Sequence, residues 1–269
     1  MTVQEFLKEA TRILREAEIS SARLDCIILL EDALGLERAA ILARPETEVT
    51  QPQLSKLNKE IAQRTKHVPL AYIRGEAPFY GRDFIVNAKV LVPRPETEIM
   101  IEMLKKLPLP ASPSVADIGT GSGCIGITAA LELPGAQAEL YDIDAEALEV
   151  AAENVRTLKA NAKIQESDLL EAKPTTDVIL ANLPYVPERY EINRAAGHEP
   201  KHAIFAGEDG LKLYRKFWGQ VATLPQKPQF VLTESLPPQH NDLSLLAKHS
   251  GYTLVTIQNL IQVFRSASS

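Results

Sequence analysis

Along the first 75 positions, apolar residues recur at helical spacing. Phe6, Ala10, Ile13, Leu14 and Ala17 share one helical face. Thr2-Val3-Gln4-Glu5 before them reads as a capping box, in which hydroxyl and carboxylate satisfy free backbone N–H groups at the helix start. Ser21 is placed to cap a second helix running to Leu34, with Gly35 where a left-handed stop is wanted. Leu54, Leu57 and Ile61 mark a third periodic stretch that runs into Lys66-His67-Val68-Pro69. This pattern predicts a small helical bundle.

The pattern changes at Gly75. Phe79-Tyr80-Gly81-Arg82-Asp83-Phe84-Ile85-Val86 sets aromatic and β-branched residues around a turn glycine and predicts a hairpin. Val90-Leu91-Val92 leads into Pro93-Arg94-Pro95-Glu96-Thr97-Glu98, where a proline and first-turn acids suit a helix start. Ile99, Met100, Met103, Leu104 and Leu107 supply its expected buried stripe. From Ser114 onward, strands and helices alternate, which predicts an α/β sheet with crossover connections. Strands are expected at 114–118, 138–142, 163–166, 177–181, 229–234, 253–258 and 261–266, and helices near 123–133, 145–158, 208–222 and 239–249. Only Asn259-Leu260 separates the last two strands, so they should pair antiparallel. Pro108–Pro113 reads as a linker.

Composition narrows the class. A chain of 269 residues suits one large domain or two unequal ones, and 45% apolar with 24% charged residues excludes disorder and coiled coil as the main architecture. The 29 basic and 35 acidic residues leave a net charge of −6, which argues against non-specific attraction to nucleic acid. Cys26 and Cys124 stand apart, and the five histidines show no ligand spacing, so no metal and no disulfide framework are expected. Glu5, Glu9, Glu16 and Glu18 do not suit a signal peptide, and no apolar run approaches the roughly 20 residues of a membrane span. A cytoplasmic, soluble protein is the expectation.

Candidate chemistry begins at Val115-Ala116-Asp117-Ile118-Gly119-Thr120-Gly121-Ser122-Gly123, a strand ending in a glycine-rich turn before a helix. Glycines there let the backbone approach a nucleotide-like ligand. Gly121, Gly123 and Gly126 formally match G-x-G-x-x-G, so a dinucleotide is also considered, as is a tight turn that binds nothing. The next strand ends at Tyr141-Asp142-Ile143-Asp144; Asp142 is placed to accept from ribose hydroxyls, and Asp144 to cap the following helix. Asp168 can accept from an adenine amine beside Leu169, with an ordinary loop acid as the equal alternative. The apolar strand Val178-Ile179-Leu180 runs into Ala181-Asn182-Leu183-Pro184-Tyr185. The Asn182 side-chain carbonyl and the Pro184 backbone carbonyl can hold both hydrogens of a planar –NH2 group, with Tyr185 stacked on it.

The order D-I-G-T-G-S-G, acid, N-L-P-Y resembles the S-adenosylmethionine-dependent methyltransferases. More narrowly, the chain resembles peptide chain release factor glutamine N5-methyltransferases through R-L-D-C-I-I-L-L at 23–30, P-L-A-Y-I-R-G at 69–75, F-Y-G-R-D-F…V-L-V-P-R-P-E-T-E at 79–98 and H-E-P…A-I-F-A-G-E-D-G-L…Y-R at 198–215. The resemblance implies a helical substrate-binding domain over 1–75, a β-hairpin linker over 76–92 and a seven-stranded, Rossmann-like methyltransferase domain over 93–269. It implies S-adenosylmethionine held by Gly119, Thr120, Gly121, Ser122, Gly123, Asp142, Asp168, Leu169 and Asn182. The substrate would be a bacterial-type class I release factor, met by Asn182, Leu183, Pro184, Tyr185, Arg94 and Glu96, with Asn182, Pro184 and Tyr185 carrying catalysis.

Three departures stand out. Leu183 replaces the first proline of the family's N-P-P-Y, the fifth strand ends Glu234-Ser235-Leu236 instead of in an acid and glycine, and the final hairpin lacks the usual Asp and Gly. N-L-P-Y also resembles rRNA adenine dimethylases. The competing readings are therefore glutamine methylation of a ribosomal protein, N6-adenine methylation of RNA, and a degenerate fold that only binds a release factor.

Overall fold

The computed structural model describes residues 1–267. The chain divides into two units, Met1–Gly75 with Asn193–His198, and Glu76–Ile192 with Glu199–Ser269.

The first unit contains helices α1 (Val3–Glu16), α2 (Ala22–Leu34), α3 (Arg38–Ala43), α4 (Gln51–Arg64) and α5 (Leu70–Arg74). The Thr2–Glu5 capping box is formed, with Thr2 N donating to Glu5 at 2.8 Å. Ser21 makes no side-chain cap; the turn before α2 is closed by its backbone carbonyl, which accepts from Asp25 N. The short helices α3 and α5 carry too few turns to print a periodicity of their own. Phe6, Leu14, Leu29, Leu30 and Leu57 form the core. Within it the carboxylate of Asp25 takes the Arg64 guanidinium at 2.7 Å, so both buried charges are matched. The 193–198 segment joins this unit through Arg194–Glu18 at 2.7 Å and a 2.8 Å contact between His198 Nε2 and the Lys66 carbonyl.

The second unit opens with the antiparallel hairpin β1 (Glu76–Phe79) and β2 (Arg82–Ile85), whose Phe79 and Phe84 rings meet edge to face in the core. Pro95–Thr97 forms a 3₁₀ turn before α6 (Glu98–Leu104), so the regular helix begins three residues later than the proline suggested. Ile101 joins Met100, Met103 and Leu104 in its buried stripe, whereas Ile99 and Leu107 are only partly buried. The chain then alternates through β3 (Ser114–Ile118), α7 (Cys124–Glu132), β4 (Gln137–Asp142), α8 (Ala145–Leu158), β5 (Ala162–Glu166), β6 (Val178–Ala181), α9 (Lys212–Thr223), β7 (Phe230–Glu234), α10 (His240–His249), β8 (Tyr252–Gln258) and β9 (Ile261–Ser266).

The seven strands lie in the order β5-β4-β3-β6-β7-β9-β8, with only β9 antiparallel to its neighbours. Alternate residues of the central strands enter two cores, Val115, Val178 and Leu180 into one, Ala116, Ile118 and Ile179 into the other. Strand β3 therefore sits between β4 and β6, where the order of connection reverses. The carboxyl ends of strands at such a reversal leave a crevice suited to ligands. The final hairpin is tied to α10 by buried Gln262, whose amide donates to the His240 carbonyl and to Ser244, both at 3.1 Å. Among the described residues, no helix is long and apolar enough to cross a membrane.

Candidate active site

One cavity occupies this crevice. Its lining brings together Gly119, Thr120, Gly121, Ser122, Asp142, Asp168, Leu169, Asn182, Leu183, Pro184 and Arg94, residues drawn from five separated stretches of sequence. A wider and more open groove on the helical unit, lined by Leu7, Lys8, Arg12, Arg15 and Ile41 among others, has neither a glycine loop nor a strand end and offers no comparable chemistry.

The glycine loop follows from backbone geometry. The N–H groups of Gly119 and Thr120 both donate to the Tyr141 carbonyl, at 2.8 and 2.9 Å, which closes the end of β3 against β4. Gly119 and Gly121 then take φ of +70° and +54°, a region costly for residues with a Cβ. A Cβ on Gly121 would meet nothing within 4 Å, so this turn faces open space. Gly123 differs: it does not line the cavity, and a Cβ there would lie 2.8 Å from Ile127 Cδ1. Its role is to admit α7 close to the loop. Gly126, the last glycine of the formal dinucleotide pattern, is packed against Leu140 and Asp117.

Two carboxylates anchor the loop from below. Asp142 accepts from Gly121 N at 2.9 Å on one oxygen and from Asp144 N at 3.0 Å on the other. Each oxygen retains a lone pair, so the carboxylate can accept two further hydrogen bonds. Burial raises its pKa, against the pull of the two N–H donors. Asp117 is fully buried; one oxygen accepts from Thr120 Oγ1 at 2.6 Å and Gly126 N at 2.9 Å. Its other oxygen has no hydrogen bond, and burial pushes the carboxyl up to about 6. Asp144 caps α8 by accepting from Glu146 N at 2.9 Å. Asp168 borders the cavity, but Lys216 pairs with its carboxylate. Buried Leu169 beside it takes φ of +55°.

Asn182 extends from the end of β6. Its Nδ2 donates to Thr97 Oγ1 at 3.3 Å, which leaves the amide oxygen as the end not engaged with Thr97. Leu183 is buried, with Cδ2 3.0 Å from where a Cβ on Gly119 would stand. Pro184 lines the cavity. Tyr185 does not: its phenol donates to Glu234 at 2.9 Å, and its backbone carbonyl accepts from Gln239 at 2.8 Å. These two hydrogen bonds tie Tyr185 to the end of β7 and to Gln239. Glu96 is likewise off the lining, with its charge felt at Tyr185 and Glu234. Arg94 lines the cavity and donates at 2.7 Å to Glu199, whose buried carboxylate also accepts from Val92 N at 3.1 Å.

Several residues of this arrangement carry no local sequence signal. Asn154, fully buried on α8, donates to the carbonyls of Ser122 and Ile85, both at 2.9 Å, and accepts from Ile85 N at 2.7 Å. One side chain thus fastens the glycine loop to the hairpin. The Tyr214 phenol shares its proton between the carbonyls of Ala181, at 3.0 Å, and Glu234, at 2.6 Å, holding the ends of β6 and β7 together. Only the R-P-E-T-E and H-E-P stretches pointed toward Thr97 and Glu199.

The donor set fits a nucleoside with a ribose diol. Asp142 has two acceptor positions left, the Gly121 turn opens onto the cavity, and Leu169 offers an apolar wall. Among the described residues, no group of three or more His, Cys, Asp or Glu side chains is arranged to hold a metal.

Comparison with known proteins shows the family and the fold. The PrmC N-terminal domain family matches residues 5–75, and the methyltransferase small domain family matches residues 95–199. A release factor glutamine methyltransferase of Koribacter versatilis is 39% identical over 228 residues, covering 82% of this chain and 81% of the relative. One from Bacillus subtilis is 38% identical over 249 residues, covering 87% and 84%. Among solved structures, a methyltransferase from Pyrococcus furiosus superposes with a TM-score of 0.51 at 17% identity, covering 80% of this chain and 97% of that one. The hMettl16 catalytic domain superposes with a TM-score of 0.54 at 16% identity, covering 81% and 82%. The two structures share the fold.

Proposed function

The chain belongs to the release factor glutamine methyltransferase family, and from that premise we propose that it transfers a methyl group from S-adenosylmethionine to the side-chain amide nitrogen of the Gln in the Gly-Gly-Gln motif of a class I release factor. The observation that carries this reading is Asn182: its amide nitrogen is taken up by Thr97 beside a cavity that it shares with the glycine loop and Asp142.

S-adenosylmethionine, when bound, supplies a methyl on a sulfonium whose leaving group is neutral. Asp142 would accept hydrogen bonds from its ribose hydroxyls, Gly119, Thr120, Gly121 and Ser122 would offer backbone, and Leu169 and Asp168 would border the base. Gly123 serves that loop from behind. An amide nitrogen is a poor nucleophile, so the residues around it act by placing it. The Asn182 side-chain carbonyl and the Pro184 backbone carbonyl accept the two amide hydrogens and aim the nitrogen lone pair toward the methyl group. Orientation of this kind can lower a barrier by several kcal/mol. Tyr185 supports the site through its hydrogen bond to Glu234, while Arg94, with Leu183 and Glu96 nearby, borders the approach of the substrate loop. Once the nitrogen is alkylated its proton is acidic enough to leave to solvent, so no strong base is needed.

The helical unit is the part we assign to gripping the body of the release factor in the cytoplasm. The test is methyl incorporation from labelled S-adenosylmethionine into purified release factor, its Gly-Gly-Gln Gln→Ala variant, a ribosomal protein fraction and ribosomal RNA. Label in the unaltered release factor alone is expected. Label in RNA or in the ribosomal proteins alone would transfer the site to a different substrate.

A further inference from the structure

Behind Asn182 lies an acid that the reaction, as derived, does not use. Glu234 ends β7 and is 1% exposed. One of its oxygens accepts from the Tyr185 phenol at 2.9 Å; the other is buried with no hydrogen bond. Thr97 and Asn182 are its remaining polar neighbours, and both favour its charged form against burial, which raises its pKa. Glu234 does not line the cavity, so any effect it has on substrate passes through those neighbours.

The chemistry of an asparagine amide gives such an acid a use. Turning the amide by 180° exchanges its acceptor for its donor with almost no change in shape. A turned Asn182 would present N–H groups to the N–H groups of a substrate amide and form no hydrogen bond. Thr97 alone cannot decide the matter, because a hydroxyl accepts from one orientation and donates to the other. A carboxylate only accepts. Were the buried Glu234 oxygen that has no hydrogen bond to take the Thr97 proton, Thr97 Oγ1 would be left as an acceptor only, which matches its accepting from Asn182 Nδ2 at 3.3 Å. Tyr185 holds the carboxylate in place from its other oxygen.

We infer that Glu234 is a positioning residue that, through Thr97, fixes the Asn182 amide with its carbonyl oxygen toward the substrate nitrogen. The inference rests on the role given to Asn182 above. Its register supports it: Thr233 pairs with Ala181 across β6 and β7, which brings the residues that follow each of them side by side.

The test uses the full chain and two readouts. In Glu234→Gln, the new amide can donate to Thr97 as well as accept, so the polarity of the chain is lost in nearly the same volume. We expect kcat for release factor to fall by about tenfold to a hundredfold, with S-adenosylmethionine affinity and release-factor KM within about twofold. Thr97→Val should lower kcat in the same way, and Thr97→Ser, which keeps the hydroxyl, should restore it. The second readout needs no substrate: the Asn182 side-chain amide resonances of ¹⁵N-labelled protein, identified by their loss in Asn182→Asp, should shift and exchange faster in Glu234→Gln and Thr97→Val. An unchanged kcat in Glu234→Gln, or an unmoved amide in both variants, overturns the inference. If the wild-type chain methylates no glutamine while the amide still responds, the substrate reading fails and the hold of Glu234 on Asn182 stands.

Discussion

Leu183 leans on the bare Cα of Gly119: a Cβ built there would stand 3.0 Å from Leu183 Cδ2, on a backbone with φ of +70°. The position that departs from the family's N-P-P-Y therefore packs against the first glycine of the loop. Gly119→Ala meets two penalties, the left-handed conformation at about 1–2 kcal/mol and the crowding of Leu183. We expect stability to fall by about 2 kcal/mol and S-adenosylmethionine affinity to fall with it. In the double variant with Leu183→Ala, part of the crowding is relieved. The two losses should then sum to more than the combined loss, as read by urea unfolding.

Asn182→Ala removes the acceptor proposed for the substrate amide and leaves the glycine loop and Asp142 in place. The expected result is a fall in kcat of about a hundredfold or more, with cofactor affinity measured by isothermal titration changed far less. Equal losses in both would contradict an orienting role and make Asn182 a cofactor contact.

Asn154, itself fully buried, makes three hydrogen bonds to two segments. Asn154→Ala strands the Ile85 N–H and the carbonyls of Ile85 and Ser122, each worth about 1–3 kcal/mol when buried without a partner. We expect a loss of at least 2 kcal/mol in chemical unfolding, together with weaker S-adenosylmethionine binding because the loop is no longer tied to β2. A variant that loses stability yet binds cofactor as before would show that the loop holds its shape unaided.

Asp117 sets a pH dependence of stability. Its carboxyl is raised from an ordinary value near 4 to about 6 by burial, so between those values the folded chain binds more protons than the unfolded chain. Stability contributed by this group is therefore greatest below about pH 4 and declines as pH rises toward 6. Asp117→Asn can place its carbonyl where Thr120 and Gly126 donate and removes the titration. Relative to wild type, the variant should gain stability as pH rises from 4 to 6, by up to about 3 kcal/mol. A stability difference flat across that range would mean that Asp117 keeps an ordinary carboxylate pKa in the folded chain.

How far the site was legible follows from how local each feature is. The glycine loop and the Asp144 cap are set by neighbours a few residues away, so their residue types announce them. The capping box at Thr2 is of the same kind, whereas Ser21 has the right residue type and makes no side-chain cap. Short helices such as Arg38–Ala43 left too brief a pattern to read. Tyr185 illustrates the opposite limit: an aromatic after N-L-P suggests stacking, yet the partner that claims its phenol, Glu234, is 49 residues away in the chain. Thr97, Asn154, Glu199 and Glu234 reach the site only because folding brings their elements there.

By itself, the sequence determined the class of fold, the alternation of strands and helices, and the family, because hydrophobic period, turn glycines and short motifs are local properties of the chain. It also marked which residues have the chemistry to meet a nucleoside or an amide. Tertiary structure decided which of them come together around one cavity. The order β4-β3-β6-β7 sets Asp142, the glycine loop, Asn182 and Glu234 at adjacent strand ends, and no local rule dictates that order. Burial decided the rest: the same carboxyl that would be an ordinary solvated acid in an open loop becomes, as Asp117 or Glu234, a buried acceptor with a raised pKa and one direction in which to act.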